Sequence, residues 1–266
     1  MDQALFQRFR DLAYRQAGID LRDGKESLVS ARVAKRLRAL GIASEREYLE
    51  RLESDEKGEE LVQFLDVIST NFTSFFREND HFDLIAELVA GWMREGQRRF
   101  RFWSAASSTG EEPYSLAMVL AETFGDRSID WRILATDIST SVLAQARAGA
   151  YPAHVAERVP ARLRTRWMVE SQGIHHVRPE LKERLTFARL NLASPPFPLQ
   201  GPLDLVLCRN VMIYFDRQIR QRLVGQLERL LKPGGYLITG HSETLNGLET
   251  SLSMRRPSIY QKPWAD

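Results

Sequence analysis

The sequence predicts an α/β protein, with a parallel sheet covered by helices on both faces and a small all-α domain before it. From about residue 100 onwards, short apolar runs typical of strands alternate with amphipathic helical segments, which is the pattern of βαβ units. The first 70 residues show only helical periodicity. The 266 residues suffice for one large and one small domain, and 43% hydrophobic with 27% charged residues is typical of a globular chain.

The α/β part is predicted over residues 99–266, after the all-α part over residues 1–70. We expect strands over residues 100–105, 131–136, 203–208 and 236–240, and helices over residues 111–124, 139–149 and 216–231. Between the second and third of these strands lies an irregular stretch with RWMV, a turn at Gly173, HHVRP and RLTFARL. We interpret it as a small antiparallel β insertion at about residues 164–190.

Composition excludes several classes of function. The formal net charge of only +2 gives no support for a general nucleic-acid binder. No apolar run approaches the roughly 20 residues of a membrane-spanning helix, and the first residues lack the apolar core of a signal peptide. Cys208 is the only cysteine, which excludes an intrachain disulfide and fits a cytoplasmic protein. The five histidines lack metal-ligand spacing, so we expect no metal.

Polar residues follow three of the predicted strands, at the sheet edge where α/β folds bind ligands. The small-residue segment SAASSTGEE follows the first strand, Asp137 the second, and Arg209 with Asn210 the third. A carboxylate at a strand end commonly accepts the ribose hydroxyls of a nucleoside, although Asp137 could equally cap the next helix. Loop hydrogen bonding is the alternative role of Arg209 and Asn210. The phosphate-binding GxxxxGK[ST] and dinucleotide-binding GxGxxG motifs do not occur.

Six segments in one order carry a family resemblance. They are NFTSFFRENDHF, FWSAASSTGEEPYSLAM, ATDIS, FARLNL, CRNVMIYFD and LLKPGGYLITGHSE. Together they closely resemble the chemotaxis receptor methyltransferases, the CheR family, over nearly the whole chain. The resemblance implies a class I S-adenosylmethionine-dependent methyltransferase (Rossmann-like) domain with a small antiparallel β insertion, preceded by a small all-α domain. That architecture agrees with the independent interpretation of the sequence pattern.

The resemblance also implies which residues bind the cofactor, S-adenosyl-L-methionine. Glu112 is the expected contact in GEEP, with Glu111 as the second choice. Residues 71–98 are expected to form a linker and a helix that contribute to this site. The full expected set is Asn71, Thr73, Arg77, Glu112, Asp137, Asn191, Leu192, Arg209 and Asn210.

The implied reaction is methylation of glutamate side chains on methyl-accepting chemotaxis receptors, with S-adenosyl-L-homocysteine as the second product. A glutamate with a reference pKa of about 4.3 is already ionised at neutral pH, so no general base is required. Catalysis then comes mainly from alignment and exclusion of water. Arg77 is expected to hold the cofactor carboxylate or orient the acceptor, and Tyr214 to lie near the transferred methyl group; their alternative roles are a surface arginine and a packed aromatic.

A basic helix is the expected receptor-docking surface. The stretch SARVAKRLRAL places apolar residues on one stripe and cations on the rest, with no acid between Glu26 and Glu45. A solvated basic face is the alternative, but an acidic receptor helix is a suitable partner for such a surface. The docking residues expected here are Arg32, Lys35, Arg36 and Arg38.

The β insertion bears on a second kind of receptor contact. Some family members use this subdomain to grip a short aromatic-acidic peptide at the receptor's C-terminus. Residues 167–181 here look shorter around Gly173 than the corresponding segment of those members. We therefore expect no C-terminal pentapeptide tether, unless turn length simply varies freely in an exposed hairpin. We further expect a cytoplasmic monomer that binds the cytoplasmic helices of receptors and neither nucleic acid nor membrane.

Two other functions remain open from the residues alone. One is a class I methyltransferase that acts on a small molecule or a nucleic acid. The other is a regulatory module that senses S-adenosylmethionine or its demethylated product without catalysis, against which the presence of both Arg77 and Tyr214 argues.

Overall fold

The computed structural model describes residues 1–21, 23–55, 58–69 and 72–264. Asn71, one of the expected cofactor contacts, lies outside these described residues. No helix in the described parts of the chain combines the length and apolar character needed to cross a bilayer.

Four helices form the described part of the first domain, as the helical periodicity predicts. Its apolar core is built around Phe6, Phe9, Tyr48 and Phe64, which are all fully buried or nearly so. Local sequence signals begin the first and third helices, because Asp2 and Ser44 cap them with their side chains. The helices are α1 (Gln3–Ala17), α2 (Glu26–Leu40), α3 (Glu45–Glu53) and α4 (Glu59–Ile68).

The α/β domain alternates strands and helices, and the predicted elements end within one residue of their expected positions, except that the strand expected to begin at residue 236 begins at Leu231. Its elements are α5 (Asp80–Arg94), β1 (Arg99–Ser104), α6 (Glu111–Phe124), β2 (Asp130–Asp137), α7 (Thr140–Ala148), β3 (Ala150–Pro152), α8 (Ala153–Ala156), α9 (Ala161–Trp167), β4 (Met168–Ser171), β5 (Ile174–Val177), α10 (Pro179–Lys182), β6 (Leu185–Arg189), β7 (Leu203–Cys208), a 3₁₀ turn (Met212–Tyr214), α11 (Arg217–Leu230), β8 (Leu231–Thr239), β9 (Ser253–Arg256) and β10 (Ile259–Gln261).

The main sheet has the strand order β6-β2-β1-β7-β8-β10-β9. The pairs from β6 to β8 are parallel, whereas β10 pairs antiparallel with both β8 and β9. A separate apolar cluster covers each face of the sheet. Because the first five strands run the same way, the carboxyl ends of β1, β2, β6 and β7 meet at one edge, where α/β folds place their ligands.

The β insertion differs from its predicted extent of residues 164–190. It is a three-stranded antiparallel sheet in the order β3-β5-β4, so it begins at Ala150. The segment RLTFARL, expected within it, forms β6 and pairs in parallel with β2 in the main sheet. Strand periodicity alone does not tell which sheet a strand joins, and a three-residue strand such as β3 leaves almost no periodicity to detect.

The end of α1 is fixed tightly to the α/β domain. Gly18 has a left-handed backbone (φ 68°), and a Cβ there would lie only 2.5 Å from Cβ of Ala193 and 2.7 Å from Cδ1 of Ile219. The Asp20 backbone N–H donates to the Tyr214 carbonyl at 2.9 Å. The helical domain therefore forms one side of the space above the carboxyl edge of the sheet.

Candidate active site

A cavity of about 340 Å³ lies between the carboxyl edge of the sheet and the helical domain. Its volume is in the range of small-molecule sites. The helical domain contributes Ile19, Leu21 and Ile68 to the wall, and β1 is followed there by the small residues Ala105 and Ala106. All the cofactor and catalytic residues expected from the sequence that lie in the described part of the chain also line it, namely Thr73, Arg77, Glu112, Asp137, Asn191, Leu192, Arg209, Asn210 and Tyr214.

Asp137 is a fixed acceptor at the end of β2. Its two carboxylate oxygens accept backbone N–H groups from Ser108 at 2.9 Å and Ser139 at 3.0 Å. Burial raises the pKa of Asp137, and these two hydrogen bonds oppose the increase. Ser139, whose side chain accepts the Val142 N–H at 3.2 Å, is the cap of α7. The capping role is thus taken by Ser139, and Asp137 faces the cavity.

Glu112, rather than Glu111, faces the cavity at the start of α6. One Glu112 oxygen accepts the Ser104 hydroxyl at 2.8 Å and the other accepts Nη1 of Arg209 at 2.9 Å. Glu111 accepts the Thr109 hydroxyl at 2.6 Å, and burial raises its pKa. The geometry thus favours Glu112 over Glu111 as the cofactor contact, and Glu112 is also the first of the two choices from the sequence.

Arg209 is a buried link between segments, with 4% of its surface exposed. Besides Glu112, its guanidinium donates to a Glu78 carboxylate oxygen at 2.9 Å and to the Arg77 carbonyl, and it lies over the Phe82 ring at 5.6 Å. The guanidinium therefore holds the chain around residue 77 against the end of β7. The coulombic interaction with Arg209 and the hydrogen bonds hold the pKa of Glu78 down against the opposing effect of burial.

Glu243 lies behind the cavity wall and is a residue that the strand-end pattern does not single out, although it ends the GHSE segment of the resemblance. Its buried carboxylate accepts backbone N–H groups from Asn210 at 2.7 Å, Gly240 at 2.7 Å and Met212 at 2.8 Å. Burial raises its pKa, and these bonds oppose the increase. The carboxylate shapes the turn that carries Tyr214, including the left-handed backbone of Asn210 (φ 57°).

Arg77 and Tyr214, the two expected catalytic residues, both line the cavity. Nη1 of Arg77 donates to the Phe72 carbonyl at 3.1 Å, and its guanidinium carbon lies 5.9 Å from the Phe72 ring centre. Tyr214 ends the 3₁₀ turn after β7. Asn191, at the end of β6, donates to the Gln16 carbonyl at 2.7 Å and so links the cavity wall to α1.

A cluster of Glu78, His81 and His241 lies beside Arg209, with possible ligand atoms within 4.8 Å of one another. His81 Nε2 is hydrogen-bonded to the Ser258 hydroxyl at 2.9 Å, and Glu78 is already held by Arg209. The geometry suits a hydrogen-bonded network that supports Arg209.

The four cations expected to dock the receptor have different environments. Arg36 makes a two-bond ion pair with Glu60, at 2.9 and 2.7 Å. Arg32 donates to the Ile68 and Ser69 carbonyls and lines the cavity. Lys35 and Arg38 are exposed. A periodic pattern identifies the polar face of a helix, but it does not reveal which cations the domain itself uses.

The fold and the site together define a class. A nucleoside-sized cavity at the carboxyl edge of a largely parallel sheet, with a small-residue turn after β1 and an acidic residue at the tip of β2, is the arrangement of a class I S-adenosylmethionine-dependent methyltransferase. The CheR methyltransferase SAM-binding domain matches residues 71–260, and the CheR methyltransferase all-alpha domain matches residues 4–69. The chain therefore belongs to the CheR methyltransferase family.

Two chemotaxis protein methyltransferases agree with this assignment. The chain is 40% identical over 264 residues to a chemotaxis protein methyltransferase of Escherichia coli (strain K12), covering 98% of this chain and 91% of that protein. It is 41% identical over 242 residues to chemotaxis protein methyltransferase 2 of Pseudomonas aeruginosa, covering 90% of this chain and 85% of the relative. The solved glycopeptide N-methyltransferase MtfA complexed with S-adenosyl-L-methionine covers 56% of this chain and 47% of its own at 18% identity, with a TM-score of 0.35.

Proposed function

We propose that this chain transfers the methyl group of S-adenosylmethionine to glutamate side chains of methyl-accepting chemotaxis receptors, with glutamate methyl esters and S-adenosylhomocysteine as products. The observation that carries the proposal is the cavity at the carboxyl edge of the sheet, which is lined by every described residue expected to serve the reaction. Membership of the CheR methyltransferase family supports the same reaction.

The cavity fits the cofactor chemically. Asp137 offers an oriented carboxylate for the ribose hydroxyls, because its backbone partners fix it without a cation. Ala105 and Ala106 allow close approach of the nucleoside to the backbone after β1. Thr73, Arg77 and the Asn191–Leu192 pair are the proposed contacts around it. Glu112 and Arg209 are paired with each other at 2.9 Å, and we propose that they and Asn210 form the part of the cavity wall that contacts the cofactor.

When bound, the cofactor supplies an electrophilic methyl group on a sulfonium. The residues of this chain then have to align an acceptor that is already ionised, since a glutamate carboxylate has a pKa of about 4.3. We propose that Arg77 orients carboxylate groups through a charge-assisted hydrogen bond and that the Tyr214 hydroxyl helps to place the acceptor. The carboxylate oxygen gains the methyl group as the sulfur–methyl bond breaks, and no proton has to move. The helical domain above the sheet excludes water.

The remaining assignments are proposals of the same kind. Residues 1–70 form the docking domain, residues 71–98 carry Arg77 and α5 to the site, and residues 99–266 form the methyltransferase domain. Lys35 and Arg38 on α2, with Arg32 nearer the cavity, face the acidic receptor helix, whereas Arg36 supports α2 through Glu60. We propose a cytoplasmic monomer without a pentapeptide tether.

The deciding experiment is methylation of receptor cytoplasmic fragments with S-adenosylmethionine labelled in the methyl group. We expect label that base releases as methanol, because only methyl esters are so labile, and none on a fragment whose acceptor glutamates are replaced by alanine. Label on small molecules or nucleic acid, with none on receptors, would support the other-substrate alternative. Binding of S-adenosylhomocysteine without turnover on any of these substrates would support the regulatory alternative.

A further inference from the structure

The opening of the cavity is unusually apolar for a site that accepts a charged group. Three of the seven large hydrophobic side chains that are exposed in the described part of the chain line this one cavity. They are Leu28 (41% exposed), Phe72 (75%) and Ile213 (47%). The remaining four, such as Met254 on β9, lie outside the cavity wall. We call Leu28, Phe72 and Ile213 the apolar rim.

Separate segments contribute the three rim residues. Leu28 belongs to α2, Phe72 to the connection between α4 and α5, and Ile213 to the 3₁₀ turn after β7. Ile213 directly precedes Tyr214, and Phe72 carries the carbonyl that holds Arg77. The rim residues therefore line the same cavity as the proposed catalytic residues, and two of them are directly connected to Arg77 and Tyr214. Large apolar side chains left at a cavity opening from three segments are typical of a binding surface rather than of scattered surface residues.

Charge at the same opening indicates the chemistry of the partner. Lys25, Arg32 and Arg77 all line the cavity, and Lys25 is exposed there. The loop between α1 and α2, which carries Lys25, also contributes the acidic residue Asp20 to the lining. A partner that suits this opening presents a carboxylate framed by apolar side chains. On a helix, residues three or four positions away on either side lie on the same face as the residue between them.

We propose that the apolar rim reads the receptor helix, by contacting apolar side chains one turn before and one turn after the acceptor glutamate. This rests on the proposed methylation of receptor helices and adds a basis for choosing among their glutamates. The cations at the opening attract the acidic helix, while the rim selects the glutamate whose neighbours are apolar. The acceptor carboxylate then enters between Phe72 and Ile213 towards Arg77 and Tyr214.

The test pairs changes on both sides of the contact. Phe72→Ser and Ile213→Ser should each raise the apparent KM for a receptor fragment roughly tenfold, which corresponds to about 1.4 kcal/mol. Affinity for S-adenosylhomocysteine should change much less. Met254→Ser is the matched control, because Met254 is 60% exposed and does not line the cavity, and it should leave KM unchanged. Phe72→Leu keeps an apolar side chain at this position and should therefore raise the apparent KM much less than Phe72→Ser.

In the second part of the test, serine replaces the apolar residues one turn before and one turn after the acceptor glutamate of the receptor fragment. With the wild-type enzyme KM should rise about tenfold, whereas the rim variants should lose this discrimination. The proposal would be overturned if the altered fragment raised the KM of the rim variants by the same factor as that of the wild-type enzyme. A larger effect of the rim changes on S-adenosylhomocysteine affinity than on KM would also overturn it. If the wild-type enzyme methylates no fragment at all, the proposed function fails; if it does and the rim variants match it, only the rim proposal fails.

Discussion

Two carboxylates at the site, Asp137 and Glu243, are held by backbone amides instead of cations. Asp137 accepts two backbone N–H groups and Glu243 accepts three. Such bonds fix the position of each oxygen and oppose the increase in pKa that burial causes in both groups. Asp137 faces the cavity and can accept a ligand, whereas Glu243 serves the backbone that carries Tyr214.

Replacing Asp137 tests its role towards the cofactor. Asp137→Asn should weaken affinity for S-adenosylhomocysteine by about 1–3 kcal/mol, since a charged acceptor is lost from the ribose hydroxyl pair. Calorimetry measures the change, and Asp126→Asn, at an exposed position after α6, is the control. An unchanged affinity of the folded Asp137 variant would remove Asp137 from the cofactor site.

Arg77 allows binding to be separated from chemistry. Arg77→Ala leaves the carbonyl that Arg209 contacts, so the fold should survive, as circular dichroism can check. We expect kcat to fall roughly a hundredfold, because a misaligned acceptor reacts slowly. Exposed Arg94, in the last turn of α5, supplies the control change Arg94→Ala. Turnover of the Arg77 variant at the wild-type rate would exclude a catalytic part for this side chain.

His81 should make stability depend on pH. Burial lowers its pKa to about 4 in the folded protein, whereas an unfolded histidine titrates near 6.5. Between these values the unfolded chain binds the additional proton, so the free energy of unfolding should fall by up to about 3 kcal/mol as pH decreases from 6.5 towards 4. The full contribution is present above pH 6.5.

Denaturant unfolding at several pH values measures this effect. His81→Asn should have a flatter dependence than the wild type over that window, because it lacks the buried histidine that titrates there. The exposed His154 serves as the control in His154→Gln, which should keep the wild-type dependence. Parallel curves for wild type and His81→Asn would contradict the buried neutral histidine.

For individual residues, the sequence predicted which side chains lie at the strand ends but not which residues they contact. Asp137, Arg209 and Asn210 could be placed at the carboxyl edge because each directly follows a recognisable strand. The Arg209–Glu78 pair joins positions 131 residues apart, and the Glu243 contacts to the turn after β7 span about 30 residues. Such contacts depend on which loops the fold brings together, and local periodicity holds no information about them.

Helix α2 combines an apolar stripe on one face with cations on the rest of its surface. Its stripe of Val29 and Val33 is buried, as the helical spacing predicts. Its cations have two kinds of environment, because Arg36 is paired with Glu60 while Arg38 is exposed. Reversal of charge at Arg36 and at Arg38 should therefore affect the stability of the domain differently.

Charge reversal at the two arginines tests this division. Arg36→Glu should lower the free energy of unfolding by about 2–3 kcal/mol, because a two-bond pair with a charged partner is lost. Arg38→Glu should leave stability within about 0.5 kcal/mol and raise the apparent KM for receptor several-fold, an effect that added salt reduces.

The exposed Arg46 on α3 gives the matched control Arg46→Glu within the same domain. It should alter neither stability nor KM. Equal kinetics for Arg38→Glu and wild type would count against α2 as the docking surface. A stable Arg36→Glu protein would instead show that the pair with Glu60 contributes little.

Over the whole molecule, the cavity exists only because two domains meet. The sheet supplies its base, and α1, α2 and the end of α4 supply its other side through residues such as Ile19, Leu28 and Ile68. The sequence predicted both domains from their different periodicities. It could not predict their junction, which depends on the close fit of Gly18 against Ala193 and Ile219.

The β insertion stands apart from this cavity and offers the remaining possible receptor contact. Strands β4 and β5 are joined by the two residues Gln172 and Gly173, both with positive φ (53° and 76°), as in the tightest class of hairpin turn. Strand β4 is one of the two edge strands of this sheet, and Val169 on it is 47% exposed. So short a turn leaves no loop between β4 and β5 that could hold an added peptide strand. A tether acts by raising the local concentration of the enzyme near its substrate. The enzyme therefore has to bind the peptide without help from other contacts to the receptor.

We therefore expect no saturable binding when the enzyme is titrated with free peptides that end in a Trp-Glu-x-Phe-like sequence, with a scrambled peptide as the control. A receptor fragment with its C-terminal tail removed should show the same apparent KM as the intact fragment, because recognition then depends on α2 and the cavity opening alone. Binding in the low micromolar range, lost on scrambling and accompanied by a raised KM for the tailless fragment, would show that a two-residue hairpin suffices to hold the peptide.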